Sequence, residues 1–127
     1  MTHFEIQKSI FSALSIALAP ITVLDDVPDN IACPYVRIGE FTGIEWDTDN
    51  SLGRETTITI HIWSDYRGMK ELVEMMDKIK LALHNVNLTI TGEVCVLCFL
   101  EFSESMLDSD GLTRHGVQRF RIITEGG

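Results

Sequence analysis

The sequence predicts an α+β fold, in which an antiparallel or mixed sheet of about four to five strands carries two amphipathic helices, mainly on one face. Three observations predict it. Two segments repeat apolar residues at helical spacing, one segment alternates β-branched and polar residues, and the chain order is helix, two strands, helix, then two or three strands. With 127 residues, 45% of them hydrophobic, we expect a single domain spanning residues 1–127.

The N-terminal segment is predicted to be a helix that ends before Pro20. Thr2 and Glu5 have the spacing of a capping box, in which both side chains accept hydrogen bonds from backbone N–H groups of the first turn. Pro20 ends the helix because a proline forces the preceding residue out of the α region. The apolar stripe that would face the core consists of Ile6, Ile10, Ala13, Leu14, Ala17 and Leu18.

Two strands are predicted between the helices. The first runs from residue 34 to about residue 41 or 42 and is rich in Tyr, Val, Ile and Phe. The second spans residues 55–63, where the even-numbered side chains from Thr56 to Ile62 share one face. We expect residues 42–54 to form a long polar loop between these strands.

The second helix is predicted over about residues 67–84, with Ser64-Asp65 as its cap. Asn85 and Asn87 suit the left-handed conformation in which many helices end. The apolar stripe of this helix would consist of Met69, Leu72, Val73, Met76, Ile79 and Leu83.

Four segments follow the second helix. Residues 88–90 are a candidate for a short strand, and residues 92 to about 102 have the composition of a longer one. Residues 103–112 are rich in Ser, Asp and Glu and predict an acidic loop. A last strand, from about residue 112 to residue 124, completes the predicted sheet.

The charge balance argues against a protein that binds nucleic acid. The chain has 10 Lys and Arg against 19 Asp and Glu, a net charge of −9, whereas phosphate binding requires clustered cations. The longest apolar run is interrupted and too short for a membrane helix, and the N-terminus lacks the basic patch of a secretory signal. We therefore expect a cytoplasmic chain with no specific nucleic-acid binding and no membrane contact.

No arrangement of residues in the sequence predicts catalysis. Cys95 and Cys98 have C-x-x-C spacing, but they lie in a predicted strand, where residues three apart point to opposite faces, so we expect structural thiols. The four histidines include no pair at the i, i+4 spacing of a helical metal site, and His84 at a helix end is explained by the helix dipole. We expect no catalytic residue, no cofactor and no metal ion.

Large apolar side chains stand among acidic residues in the two predicted loops, a pattern typical of recognition surfaces. A locally basic stretch follows the second loop. For Trp46, folding back over the core is an equally good interpretation. The candidate interface residues are Trp46, Asp47 and Asp49 in the first loop, Met106, Leu107 and Asp108 in the second, and Arg114, Arg119 and Arg121 in the basic stretch.

Several marked positions together resemble one protein family. They are Pro34-Tyr35-Val36, Gly43 with Trp46 and Gly53, the run from Thr57 to Ser64 that leads into the second helix, and the closing segment from Asp110 to Ile122. Over nearly the whole chain, this pattern resembles the small tail-completion, or head-to-tail joining, proteins of long-tailed bacteriophages and prophages.

The resemblance implies a structural protein of virion assembly. Such a protein is a single α+β domain that forms a ring, commonly a hexamer, which caps the finished tail tube and presents a surface to the head connector. The implied partners are further copies of the chain, the tail tube protein and the head connector protein, and the free subunit is compatible with a monomer. The implied locations are the host bacterial cytoplasm during assembly and the tail of the virion.

A closed ring requires two different patches of the subunit to meet. We expect the acidic loops to contact the basic stretch of the next subunit, so that reversing Arg119 and Arg121 to Glu would block assembly. Two other classes of function stay open. A small non-enzymatic α+β binding or regulatory module would remain monomeric or dimeric, and an enzyme would show a deep pocket with convergent polar groups of perturbed pKa.

Overall fold

The computed structural model describes residues 2–26, 28, 31–47, 52–90 and 93–126. Within these residues the chain forms two helices and six strands. In chain order they are α1 (Thr2–Leu18), β1 (Thr22–Leu24), β2 (Tyr35–Asp47), β3 (Leu52–Ser64), α2 (Lys70–Leu83), β4 (Thr89–Ile90), β5 (Glu93–Leu107) and β6 (Arg114–Gly126).

The described strands form one mixed sheet in the order β1-β2-β3-β6-β5-β4. The short β1 pairs with β2 in parallel, and every other pairing is antiparallel. β6 lies between β3 and β5, and the sheet has two long hairpins, β2–β3 and β5–β6, whose turns lie at opposite ends of the strands. The α+β prediction is confirmed, with two short edge strands beyond the long ones.

Both helices pack on one face of this sheet. The predicted stripe of α1 is confirmed, because Ile6, Ile10, Leu14 and Leu18 are fully buried. The alternation predicted for β3 is also confirmed, since its even-numbered side chains from Thr56 to Ser64 are buried. The remaining fully buried large side chains of the sheet and of α2 include Phe120, Leu72, Met75, Ile79 and Leu83.

The second helix begins later than predicted and is turned about its axis. It starts at Lys70, and Ser64 is the last residue of β3, where its hydroxyl donates to Glu71 Oε1 at 2.6 Å. Met75 is buried, whereas Val73, predicted to face the core, is 43% exposed. The prediction of Ser64-Asp65 as a helix cap is therefore wrong, because Ser64 holds the first turn of α2 from the adjacent strand. Asn85 does adopt the left-handed conformation, with φ 58°.

The two predicted loops are mostly strand. β2 continues to Asp47, and β5 continues to Leu107, which leaves a turn of residues 108–113 in place of a loop over 103–112. All six residues 102–107 are exposed. The prediction failed because this end of β5 is exposed on both faces of the sheet, so the strand carries polar residues on both faces and loses the alternation that marks a half-buried strand.

The two cysteines of the C-x-x-C motif lie on the same face, contrary to prediction. The β5–β6 register shifts between Cys95 and Leu97, so that Cys95 pairs with Thr124 and Cys98 pairs with Ile122. A β-bulge adds one residue and reverses the alternation that follows it. Both thiols are free and buried in the core, as expected of structural thiols, and burial raises the pKa of Cys98 to about 12.

Gly116 in β6 allows α2 to pack closely on the sheet. A Cβ atom at this position would lie 3.0 Å from Met76 Sδ and 3.1 Å from Leu72 Cδ1. We expect Gly116→Val to lower the free energy of unfolding by about 1–3 kcal/mol, because an overpacked side chain pushes α2 away from the sheet. Chemical denaturation measures the change. Ser105→Val, at the exposed position paired with Gly116, should change it by less than about 0.5 kcal/mol, and equal effects would contradict this account of the packing.

Candidate functional site

The predicted interface residues fall into three separate places on the sheet. Met106, Leu107 and Asp108 lie at the β5–β6 turn, while Trp46 and Asp47 lie in β2 at the opposite end of the strands. Asp49 lies outside the described residues, and so do the side chains of Trp46 and Asp47. The last group, Arg114, Arg119 and Arg121, is carried by β6.

The β5–β6 end of the sheet exposes apolar side chains. Leu107 pairs with Arg114, and Met106 pairs with His115. Leu107 is 51% exposed, Met106 is 41% exposed and Leu112, in the turn, is 72% exposed. Exposed apolar side chains clustered in one place mark surfaces that contact other proteins.

The turn that carries Leu112 is held by its own hydrogen bonds. Asp110 Oδ1 accepts from the backbone N–H groups of Leu112 and Thr113, both at 2.8 Å, and Oδ2 accepts from the Thr113 hydroxyl at 2.7 Å. These bonds, with that from the Thr113 N–H first, lower the pKa of Asp110. Gly111 supplies the left-handed residue of the turn, with φ 72°. The apolar tip is therefore presented on a locally ordered turn.

The face of the sheet opposite the helices, which we call the open face, carries a network of ion pairs. Glu101 accepts from Arg119 Nε through Oε2 and from Arg121 Nε through Oε1, both at 2.7 Å. Arg121 Nη1 also lies 2.7 Å from Glu55 Oε1, and the Arg119 guanidinium lies 5.0 Å from the centre of the Phe102 ring. Burial alone would raise the pKa of Glu101, but the two arginines outweigh it, and the pKa lies below its usual range.

Two of the three predicted interface arginines thus have partners within their own subunit. Reversing Arg119 and Arg121 to Glu would place like charges beside Glu101 and would act first on the fold. The third, Arg114, is directed toward the start of α2, where its Nη1 lies 3.3 Å from Met69 Sδ.

A row of aromatic and histidine rings on the open face was not predicted from the sequence. The ring centres of Tyr35 and Trp63 are 4.8 Å apart, and those of Trp63 and His115 are 4.6 Å apart with an interplanar angle of 9°. Next in the row, His61 Nε2 donates to Glu40 Oε2 at 3.0 Å, and His61 Nδ1 lies 2.9 Å from His115 Nε2. With Nε2–H donated to Glu40, a neutral His61 accepts at Nδ1 from His115.

This row forms because three strands bring distant residues into register. Trp63 pairs with Tyr35 on one side and with His115 on the other, and His61 lies two residues before it on the same face. The hydrogen bond from His61 lowers the pKa of Glu40, while burial and the neighbouring His61 charge lower that of His115. The sequence signal was the odd-numbered ring pair His61 and Trp63, which acquires meaning only once its neighbouring strands are known.

The remaining chemical groups have structural explanations. His84 accepts at Nδ1 from the backbone N–H of Leu100, at 3.0 Å, so its role is to hold β5 against the end of α2 and the predicted dipole explanation is wrong. In the part of the chain that the structure describes, no cluster of three or more His, Cys, Asp or Glu residues is arranged to hold a metal ion. The described helices include none long and apolar enough to cross a membrane.

Two open grooves lie on the helical side. One, of about 410 Å³, runs between α1 and the segment after α2 and is lined by Ile16, Ala82 and Leu88 among others. The other, of about 400 Å³, separates α2 from the end of β5 and is lined by Met69, Val73 and the segment 103–105. Both are shallow surface features next to exposed apolar side chains, a setting that suits contacts with protein.

Comparisons with known proteins give a family and a shared fold. Residues 11–125 match the protein family described as tail completion protein gp17. The tail completion protein gp17 of Bacillus phage SPP1 is 28% identical over 89 residues, which are 70% of this chain and 66%, just under two thirds, of the phage protein. A chain in the solved virion of a native gene transfer agent particle superposes with a TM-score of 0.85 at 15% identity, over 99% of this chain and 98% of that one. At this identity the structural likeness shows a shared fold.

The Glu101 network predicts a pH-dependent contribution to stability. We expect Glu101→Gln to lower the free energy of unfolding at pH 7 by about 1–2 kcal/mol, because both arginines lose a charge-assisted partner in a partly solvated setting. A glutamate whose pKa is lowered in the fold stabilises it fully above its unfolded pKa, about 4.3, and less as pH falls through the folded pKa. Urea denaturation should therefore show the difference shrinking at low pH. Glu104→Gln, on the same strand and exposed, is the control, and equal losses would contradict the assignment.

The lowered pKa of His115 predicts a second effect of pH on stability, at higher pH than the effect of Glu101. Its folded pKa lies below its unfolded value, so the unfolded chain takes up a proton first as the pH falls below about 6.5, and the native state loses stability until the folded group titrates. His115→Gln keeps a donor for His61 and removes the titration. Denaturation at pH 7 and pH 5 should show a smaller loss for the variant than for the wild type, and an unchanged loss would refute this role.

Proposed function

The chain belongs to the family of tail completion protein gp17, which confirms the resemblance seen in its sequence, and from this membership we propose that it closes the tail of a long-tailed phage. It is a structural protein of the phage virion. In our proposal, six copies form a ring on the finished tail tube, and the ring joins the tail to the head connector. The subunits enter assembly from the host cytoplasm, where the free chain is a monomer.

The family match over residues 11–125 carries this proposal, and the fold supports it with two separate contact surfaces. A ring between a tube and a connector must present different surfaces to each partner. The two hairpin turns lie at opposite ends of the strands, with Trp46 and Asp47 at one end and Met106, Leu107 and Asp108 at the other. We assign one end to the tube and the other to the connector.

The charges of the chain support passage of DNA through such a ring. The net charge is −9, and on the open face Arg119 and Arg121 are paired with Glu101 and Glu55. Cations already engaged by carboxylates release no counterions from a duplex, so they add little to its affinity. The ring would let DNA move past it without holding it.

A joining assay tests the proposal. Tails assembled without this protein should acquire a six-fold density at one end when the purified chain is added, and they should then join to heads. Negative-stain images give the density, and plaque-forming titre gives the joining. Tails that join heads equally well without the chain would overturn the proposal.

The exposed turn predicts a variant that separates folding from joining. Leu112→Asp places a charge on a 72% exposed side chain, so the free energy of unfolding should stay within about 0.5 kcal/mol. A buried carboxylate at a protein contact costs several kcal/mol, and the joined titre should fall at least tenfold. The matched control is Leu81→Asp, on the outward side of α2, which should join normally. Normal joining by Leu112→Asp would remove this turn from the contact.

A further inference from the structure

Two long strands of the sheet have outer edges that no described strand covers over much of their length. β1 covers β2 only at Tyr35, Val36 and Arg37, and β4 covers β5 only at Glu93 and Val94. Further along β5, His84 and Asn85 bond to Leu100 N–H and Cys98 C=O, so the uncovered part of that edge is residues 102–107. An edge whose N–H and C=O groups point outward is a template for another strand.

We propose that these two edges meet between neighbouring subunits, so that residues 102–106 of β5 in one copy pair antiparallel with residues 42–46 of β2 in the next. The proposal rests on the ring assigned above and names the contact that builds it. In the spatial order β2-β3-β6-β5 of one subunit, each strand runs antiparallel to the next. The first and fourth strands, β2 and β5, therefore run in opposite directions, as an antiparallel contact between copies requires.

The faces of the sheet and the length of the uncovered edges set the register of this pairing. Met106 pairs with His115, which lies in the row of aromatic and histidine rings, and Thr42 contacts the Thr57 hydroxyl, so both lie on the open face. Residues directly opposite in a sheet share a face, so Thr42 can lie opposite Met106 or opposite a residue two or four positions before it. Of these registers, Thr42 opposite Met106 pairs the most uncovered residues and keeps β2 clear of the His84 contact at Leu100. The same register sets Trp46 of one copy opposite Phe102 of the next.

Backbone groups and side chains of β5 agree with this placement. Leu100 presents its N–H outward, to His84, and the β-bulge between Leu100 and Phe102 adds one residue. By the two-residue alternation of an antiparallel strand, Ser103, Ser105 and Leu107 then present outward backbone groups. Beside them lies the 400 Å³ groove of α2, lined by Met69 and Val73, which offers apolar contact to a strand added at this edge.

The offset of the two edges gives the tilt of a closed ring of sheets. Within one subunit Thr42 lies in the row of Thr57, Arg121 and Phe99, whereas the proposed contact sets it opposite Met106. The rows of Phe99 and Met106 are those of Arg121 and His115, six residues apart on β6, or about 20 Å. From β2 of one copy to β2 of the next the sheet has four strands, β2, β3, β6 and β5, and is about 19 Å wide. The strands would tilt by about 45°, the upper end of the 35–45° of closed sheets. The offset also places β1 of the next copy beyond the β5–β6 turn of the first copy. It places β4 of the first copy beyond the Asp47 end of β2 in the next copy, so neither short strand obstructs the contact.

Ser105→Pro tests the pairing through the backbone. Proline removes an outward N–H and is tolerated at a strand edge, so the variant should keep its circular dichroism spectrum and form at least tenfold fewer rings. Ser105→Ala keeps the N–H and should assemble like the wild type. The readout is the fraction of tail ends that carry six-fold density in negative-stain images. A folded Ser105→Pro chain that assembles normally would overturn the pairing.

Disulfide trapping tests the register and does not depend on whether the Ser105→Pro variant folds. In a Cys33→Ser chain assembled on tail ends, Thr42→Cys with Met106→Cys should give oxidised ladders of up to six chains on a non-reducing gel. Gly43→Cys with Met106→Cys sets the thiols on opposite faces and should give none. If rings form on tail ends but the Thr42–Met106 ladder does not, this contact is rejected and the proposed function still stands. If the cysteines are cross-linked to the tail tube protein instead, the edge contacts that protein and the pairing between copies is rejected. A wild-type chain that forms no ring on tail ends would remove both.

Discussion

The pairing of β6 between β3 and β5 is the constraint on which the rest of the structure depends. One side of β6 buries Phe120 and Ile122 under the helices, and the other holds Arg119 and Arg121 against Glu101. Its two neighbours complete the hairpins that reach the two ends of the sheet. Because the hydrogen bonds of β6 are used within the subunit, new strands can add only at the outer edges.

Much of this fold was readable from the sequence because burial leaves a periodic signal. Ile6, Ile10 and Leu14 recur at helical spacing and are all buried, and the alternation through Ile58 and Ile60 marks the sheet face under the helices. These periodic positions share contact with the hydrophobic core. The family resemblance rested also on marked positions outside the core, such as Trp63 and the turn at Gly111, and the match over residues 11–125 confirms it.

The sequence was less informative where no core imposes a period. Residues 102–107 pair as strand with exposed side chains on both faces, so their composition is that of a loop. β-bulges shift the alternation without a marker in the residue types, which is why Cys95 and Cys98 were placed on opposite faces. The pairing of Arg119 and Arg121 with Glu101 depends on the order of the strands, and so does the row of aromatic and histidine rings around Trp63. A site formed by side chains from several strands can be located only when the register between those strands is known.

We propose that copies of this chain close a ring at the neck of a phage particle through their sheet edges. A reconstruction of the neck of the intact virion by electron cryo-microscopy tests it most directly. The account predicts six copies of this fold around the DNA channel, between tube and connector, with strand pairing continuous from one copy to the next. A neck in which the chain is absent, or present as separated copies joined only through their helices, would contradict it.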